Sequence, residues 1–348
     1  MVRLERRITS PEPRTTKQEF PLKIVVDAMG GDHAPQAVVA GVVDAVNGFH
    51  VPIALVGLED QVKKELSHYK YPSSLIEIIH APEVVGMDEP ATNSIRKKKN
   101  CSISVGINLL KDPAYSAFVS AGNTGAVVCA STVFLGMLPG VERPGIGVIL
   151  PTLKKFSLLI DMGANTEAKA EHLVQYALMA NIYAQNVLDI PSPTIGLLNI
   201  GSEEGKGTDL AKETYKLLSE KLANFSGNVE ASEVYTGKAD CIICDGFVGN
   251  VVLKVSEGLL ECAGTLIKRE IKKNPVALLG AFLMKKGLSD FKRRVDYSEY
   301  GGAPLLGVNG AVIISHGRSN AKAIKNAIRS AQREVEHDFI AKIVEAVR

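Results

Sequence analysis

Apolar and polar positions along this chain fall into short blocks that alternate between a strand-like and a helix-like period. Leu22-Lys23-Ile24-Val25-Val26 reads as a mostly buried strand, and Gln36 to Asn47 follows with small apolar residues at helical spacing. Val51 to Gly57 and Leu75 to Ile79 give two further strands around a helix from about Glu59 to His68. That βαβαβ order predicts a parallel sheet. The unit then recurs: Ala117-Phe118-Val119 is a short strand, Ser120 to Gly125 a Gly-rich loop, and Ala126 to Gly136 a small-residue helix. Ile146 to Leu150, Phe156 to Ile160, Thr194 to Asn199, Ala239 to Cys244 and Ala311 to Ser315 complete the strands. Helices are expected from about Ala170 to Val187, up to about Leu222, beyond Asn250 and at the C-terminus. The predicted fold is therefore α/β, a mainly parallel sheet flanked by helices, forming a single domain over residues 22–348.

Five of these strands end alike. Asp27, Ser120, Asp161, Asn199 and Asp245 each open a loop rich in Gly and small polar residues. In an open α/β sheet the carboxyl ends of parallel strands share one edge, where ligands bind at a switch in strand order. A common cleft lined by backbone N–H groups is the expectation, set against the plainer fact that such loops favour Gly, Asn and Asp for turn geometry alone. The corner from Asp27 to Pro35 shows both sides of this. Gly30 and Gly31 let backbone approach a ligand, Asp27 and Asp32 add carboxylates, and His33 changes charge near neutral pH. With Pro35 in a first helical turn, this is an anion seat or simply a tight turn with Asp32 as N-cap.

Composition narrows the function. An apolar fraction of 46% supports a sizeable core, and a formal charge of +2 gives no reason to expect nucleic acid as a partner. Trp is absent and aromatics are few, which argues against base-stacking platforms. Cys241 and Cys244 have CxxC spacing inside an apolar run with no second pair, so they read as buried thiols rather than zinc ligands. Residues 1–21 carry several Arg and Pro with no apolar segment, and read as a disordered tail.

The stretch from Lys254 to Arg294 differs in character. Ten basic residues stand against four acidic ones, a net of +6, around the nine-residue apolar run Val276 to Met284. That run is far short of the ~20 residues needed to span a bilayer. It reads as a helical insertion or protrusion, with Lys268, Arg269, Lys272, Lys273, Lys285 and Lys286 as candidate contacts to an anionic membrane or an acidic protein; core packing or a dimer contact is the other reading.

No GxSxG elbow, HExxH, full GxGxxG or correctly spaced Walker A loop is present, so a Ser or Cys triad has no support. What remains is many N–H donors, a few carboxylates, and Arg143, Lys206 and His316 as positive groups. Such equipment binds and orients an anion, and bound phosphate can itself be a nucleophile. Asp27 to Pro35, Ser120 to Ala126, Asp161 to Gln175, Gly227 to Glu230, Asp245 to Asn250 and Tyr300 to Ala303 together resemble the bacterial phosphate acyltransferases, which make acyl phosphate from acyl-acyl carrier protein and inorganic phosphate. The resemblance runs from about Leu22 to the C-terminus, with Ala170 standing where the family usually has Pro.

The resemblance implies a fold like the isocitrate/isopropylmalate dehydrogenases and phosphate acetyltransferase. It also implies a homodimer, no cofactor and no metal, and peripheral membrane association on the cytoplasmic side, alongside the downstream membrane acyltransferase. Phosphate is expected between the Gly30-Gly31 corner and the loop of Ser120, Gly122, Asn123, Thr124 and Gly125, with Asp161, Asn165, Asn199, Lys206, Asp245 and Asn250 around the substrates. His33 or His316 would protonate the leaving thiolate, and Asp27 and Asp32 would orient donors at the catalytic corner. A phosphate acetyl- or butyryltransferase acting on acyl-CoA, a dehydrogenase of the same fold class, or a non-catalytic phosphate-binding membrane scaffold are the competing readings.

Overall fold

The computed structural model describes residues 22–295 and 299–347. The expected N-terminal tail lies outside the described residues. Described strands are, in chain order, β1 (Ile24–Asp27), β2 (Ile53–Gly57), β3 (Ile76–His80), β4 (Ala117–Ser120), β5 (Gly145–Ile146) and β6 (Val148–Pro151). They continue with β7 (Phe156–Ile160), β8 (Ile195–Asn199), β9 (Phe225–Glu230), β10 (Cys241–Ile243), β11 (Ala303–Leu306) and β12 (Ala311–Ile314).

These strands do not share one edge. They divide into a seven-stranded sheet in the order β3-β2-β1-β4-β12-β11-β5 and a five-stranded sheet in the order β6-β7-β10-β8-β9. The single common edge expected for the five strand ends is thereby corrected: Asp27 and Ser120 end strands of the first sheet, while Asn199 ends a strand of the second and Asp161 and Asp245 follow two others there. Pairing is parallel except where β11 meets β12 and β5, and where β6 meets β7. The chain crosses between sheets at Gly147, whose N–H donates to the Pro304 carbonyl at 2.9 Å.

Helices cover the sheets because their apolar stripes match the sheet faces. The helix Gln36–Phe49 buries Val38, Val39, Val42, Val43 and Val46 against β1 and β2, and Ala170–Asn186 buries Leu173, Tyr176, Ala177, Ala180 and Tyr183 in the second core. Elements outside the sequence expectation include the helix Ser102–Leu109, strands β9 and β11, and a final helix Phe339–Val347 after Ala321–Glu336. β9 escapes a period-2 reading because it carries Ser226, Gly227 and Asn228. The long helix Gly246–Lys273 buries only Gly246 and Gly249, and Pro275–Leu283 buries nothing. Among the described residues, no helix is long and apolar enough to cross a membrane.

Candidate active site

In the first sheet, strand order reverses between β1 and its neighbours: β2 and β3 lie on one side, β4 and β12 on the other. This is the switch point at which an α/β sheet leaves a crevice. The two strand ends there are locked together. Buried Asp27 accepts from the Ser120 hydroxyl at 2.7 Å and from the Met29 N–H at 3.0 Å, while the Ser120 hydroxyl accepts from the Gly122 N–H at 3.0 Å. Burial pushes the Asp27 carboxyl above its ordinary range, and the Ser120 hydrogen bond pulls the other way. Gly30 lies so close to the Gly122 backbone that a Cβ would stand 2.5 Å from its nitrogen. Gly31, at φ 102°, fits beneath the Gly317 carbonyl, and the Asp32 N–H donates to that same carbonyl at 2.8 Å. Asp32 is not an N-cap; that position of the helix Gln36–Phe49 is held by Pro35, in place of the first-turn position expected for it.

Second-sheet loops are organised in the same manner. Asp161 is fully buried and accepts from the N–H groups of Ile146, Gly163, Ala164 and Asn165 at 2.8–3.0 Å, which fixes the loop after β7 and ties it to β5. Burial drives its carboxyl upward against those four donors. Asp245 caps the helix Gly246–Lys273, accepting from Phe247 and Val248 N–H. Cys241 and Cys244 are buried with thiols pushed up by burial, as their apolar run predicts.

Between the sheets lies a cleft of about 500 Å³. The first sheet contributes Asp32, Thr124, Gly125 and the turn Ser315 to Ser319; the second contributes Met162, Gly163, Asn250, Lys254 and Glu257. Thr124 and Gly125 open the helix Thr124–Phe134, whose N-cap Asn123 accepts from the Ala126 N–H and donates to the Met87 and Glu89 carbonyls. First-turn N–H groups have no partner within a helix, so this end presents donors and positive dipole. Two hydroxyls in the cleft wall stand out. Those of Ser315 and Ser319, each residue 4% exposed, have no hydrogen-bond partner among the described residues. His316 sits between them in sequence, with Nδ1 accepting from the Arg318 N–H at 3.1 Å and Nε2 lying 3.7 Å from Glu257. Burial lowers its pKa, and Glu257 partly offsets that. Glu257 also pairs with Lys254 at 3.0 Å.

Of the expected site residues, Asp32, Thr124, Gly125, Asn250 and His316 line the cleft. Asp27, Gly30, Gly31, Ser120, Gly122 and Asn123 form the hydrogen-bonded floor beneath it, while Asp161, Asn165 and Asp245 hold the second-sheet loops. His33 is exposed and outside the lining, as is Arg143. Asn199 and Lys206 also lie outside it: Asn199 donates to the Lys206 carbonyl, and Lys206 is exposed near Glu203. Sequence reading missed Ser315, Ser319, Arg318, Lys254 and Tyr300. The signal was present in Ser315-His316-Gly317-Arg318-Ser319, a sixth strand end of the same kind.

Residues 22–342 match the family model described as "Fatty acid synthesis protein". A phosphate acyltransferase of Desulfitobacterium hafniense is 49% identical over 323 residues, covering 92% of this chain and 96% of its own. The chain belongs to the phosphate acyltransferase family. A second acyltransferase relative, the phosphate acyltransferase of Trichlorobacter lovleyi, is 48% identical over 318 residues, 91% of each chain. Among solved structures, the EutD phosphotransacetylase from Staphylococcus aureus aligns with a TM-score of 0.61 at 16% identity, covering 90% of this chain and 94% of that one. A phosphotransacetylase from Streptococcus pyogenes aligns at 0.60 with 18% identity, with the same coverage. The α/β fold of this acyltransferase is thus the one found in phosphotransacetylases, as the sequence resemblance implied.

Proposed function

We propose that this acyltransferase moves a fatty acyl group from acyl-acyl carrier protein to inorganic phosphate, and that phosphate occupies the cleft between the Thr124 helix end and the Ser315 to Ser319 turn. The observation that carries this reading is the pair of buried hydroxyls on Ser315 and Ser319, which have no hydrogen-bond partner among the described residues and belong to residues lining a cleft flanked by Lys254 and Arg318. Buried polar groups are ordinarily satisfied, so a ligand with several acceptor oxygens is their natural complement. Thr124 and Gly125 N–H groups add donors from the neighbouring loop of the same sheet.

In the reaction, a phosphate oxygen attacks the thioester carbonyl carbon. The new C–O bond forms, charge develops on the carbonyl oxygen, and backbone donors preorganised around the cleft stabilise it. The C–S bond then breaks, the thiolate leaves with the electron pair, and it takes a proton from His316 or solvent. The buried, hydrogen-bonded carboxylates Asp27 and Asp161 hold loops in place and touch no substrate.

Exposed basic residues Lys268, Arg269, Lys272, Lys273, Lys285 and Lys286 suit an acidic carrier protein or an anionic lipid surface on the cytoplasmic side, and exposed Val276, Phe282 and Leu283 suit shallow insertion among headgroups. The apolar row Phe247, Val251, Val255 and Leu259 along Gly246–Lys273 suits a second copy of the chain. The test compares acyl-acyl carrier protein with the CoA thioester of equal chain length, each with and without phosphate. Phosphate-dependent thiol release with preference for the carrier protein is expected; phosphate binding without thioester consumption would overturn the reading.

A further inference from the structure

A second cavity, of about 470 Å³, opens off the cleft. Val148, Ile149 and Leu253 line both spaces, and beyond them the second is walled by Leu150, Pro151, Tyr235 and Leu260. Its volume falls in the ~300–1,000 Å³ range of small-ligand pockets. We propose that this chamber receives the alkyl tail of the acyl donor, a straight fatty chain, and that Tyr235 and Leu260 set how long a tail it takes. The inference rests on the reading of the cleft given above.

Position and chemistry both support it. Strand β6 runs from Val148 at the cleft to Pro151 at the far end, three steps of ~3.3 Å, or about 10 Å of wall. Along the opposite wall, Lys254 and Glu257 stand at the mouth, and Leu260 lies about one helical turn deeper. The mouth is therefore polar, with Lys254, Glu257 and His316 beside the place where a thioester carbonyl meets phosphate, and the interior is mainly apolar, with Ser256 and Glu261 as polar members of its lining. An acyl group has that same polarity, with a reacting carbonyl at one end and hydrocarbon behind it. Tyr235 lies just past Pro151, its carbonyl accepting from the Leu153 N–H at 2.9 Å, and its hydroxyl donates to the Ser256 hydroxyl, which donates to the Val252 carbonyl at 2.6 Å. Those polar groups are satisfied among themselves, and the tyrosine is part of the chamber wall.

Tail burial at the usual apolar rate strengthens binding about fourfold per methylene until the tail meets that wall. The experiment is a chain-length series of acyl thioesters with saturating phosphate, run on the wild type, Leu260→Trp and Tyr235→Ala. Leu260 is 44% exposed and Tyr235 37%, so both changes are tolerable to the fold, which a melting curve checks. The expected result is a maximum in kcat/KM that moves at least two carbons shorter in Leu260→Trp and longer in Tyr235→Ala, with the phosphate KM unchanged in both. Maxima at the wild-type length in both folded variants overturn the proposal.

Because the natural chain has no Trp, Leu260→Trp also places a lone fluorophore in the chamber wall. Titration with free saturated fatty acids should shift its emission saturably, most tightly at the preferred length. This readout needs no turnover. If the wild type consumes no thioester with phosphate, the proposed function fails, and the emission shift still decides the chamber: a saturable shift upholds it, and no shift overturns it.

Discussion

Replacing Ser315 and Ser319 by Ala should change stability and phosphate use in opposite directions. Each hydroxyl is buried without a partner among the described residues, and leaving such a group unsatisfied costs ~1–3 kcal/mol. Removing one relieves part of that cost, so in phosphate-free buffer each variant should melt about 2 °C above the wild type. With phosphate bound the sign reverses. A hydrogen bond to a charged ligand contributes ~1.5–3 kcal/mol, equivalent to a ~10–100-fold rise in phosphate KM for each hydroxyl lost. Calorimetry reads the same effect without catalysis. At phosphate 100-fold above its Kd the wild type gains ~2.7 kcal/mol, and a variant binding tenfold more weakly gains ~1.4 kcal/mol at the same concentration. The melting order of variant and wild type should therefore narrow or invert as phosphate is added. If both variants melt lower without phosphate and keep the wild-type phosphate KM, the hydroxyls are packing groups, and the anion seat is elsewhere.

Asp161→Asn should cost several kcal/mol in urea unfolding, because the carboxylate accepts from four N–H groups and an amide turns one acceptor into an opposed donor. Unchanged unfolding would remove Asp161 from its anchoring role. Burial pushes the Glu334 carboxyl up to about 8, partly offset by the Tyr183 hydrogen bond. Since the folded pKa lies above the unfolded one, near ~4.3, its contribution is complete at low pH and declines as pH rises toward 8, by ~1.4 kcal/mol per pH unit at most. Glu334→Gln should accordingly flatten the fall of melting temperature between pH 5 and 8, and parallel curves for the two proteins would refute this. Gly31→Val places a β-branched residue at φ 102° with its Cβ 3.0 Å from the Gly317 carbonyl, so stability should drop by ~2 kcal/mol and phosphate turnover at least tenfold. A fully active variant would detach this corner from the site. The triple change Lys268→Glu, Lys272→Glu and Lys285→Glu should weaken binding to acidic carrier protein or anionic vesicles at low salt, and equal binding would reject that face as a dock.

The alternation of strand and helix periods determined most elements, since β1, β7, β8 and the helix Ala170–Asn186 bury the residues their apolar pattern singles out. Local chemistry also determined the roles of Asp27, Asp161 and Asp245, because a carboxylate at a strand end beside Gly residues finds backbone donors within a few positions. Tertiary structure alone decided that the strands form two sheets. Nothing in a parallel strand's apolar run states which partner it pairs with, so Cys241–Ile243 could be seen as a strand but not as the neighbour of β7 and β8. That division puts Lys254, which the sequence shows only as part of a basic stretch, across a cleft from Ser315 and Ser319, more than 60 residues away along the chain. Hydroxyls left without partners become visible only when every neighbour is in place, because satisfaction of a polar group is a property of the packed interior and not of the residue.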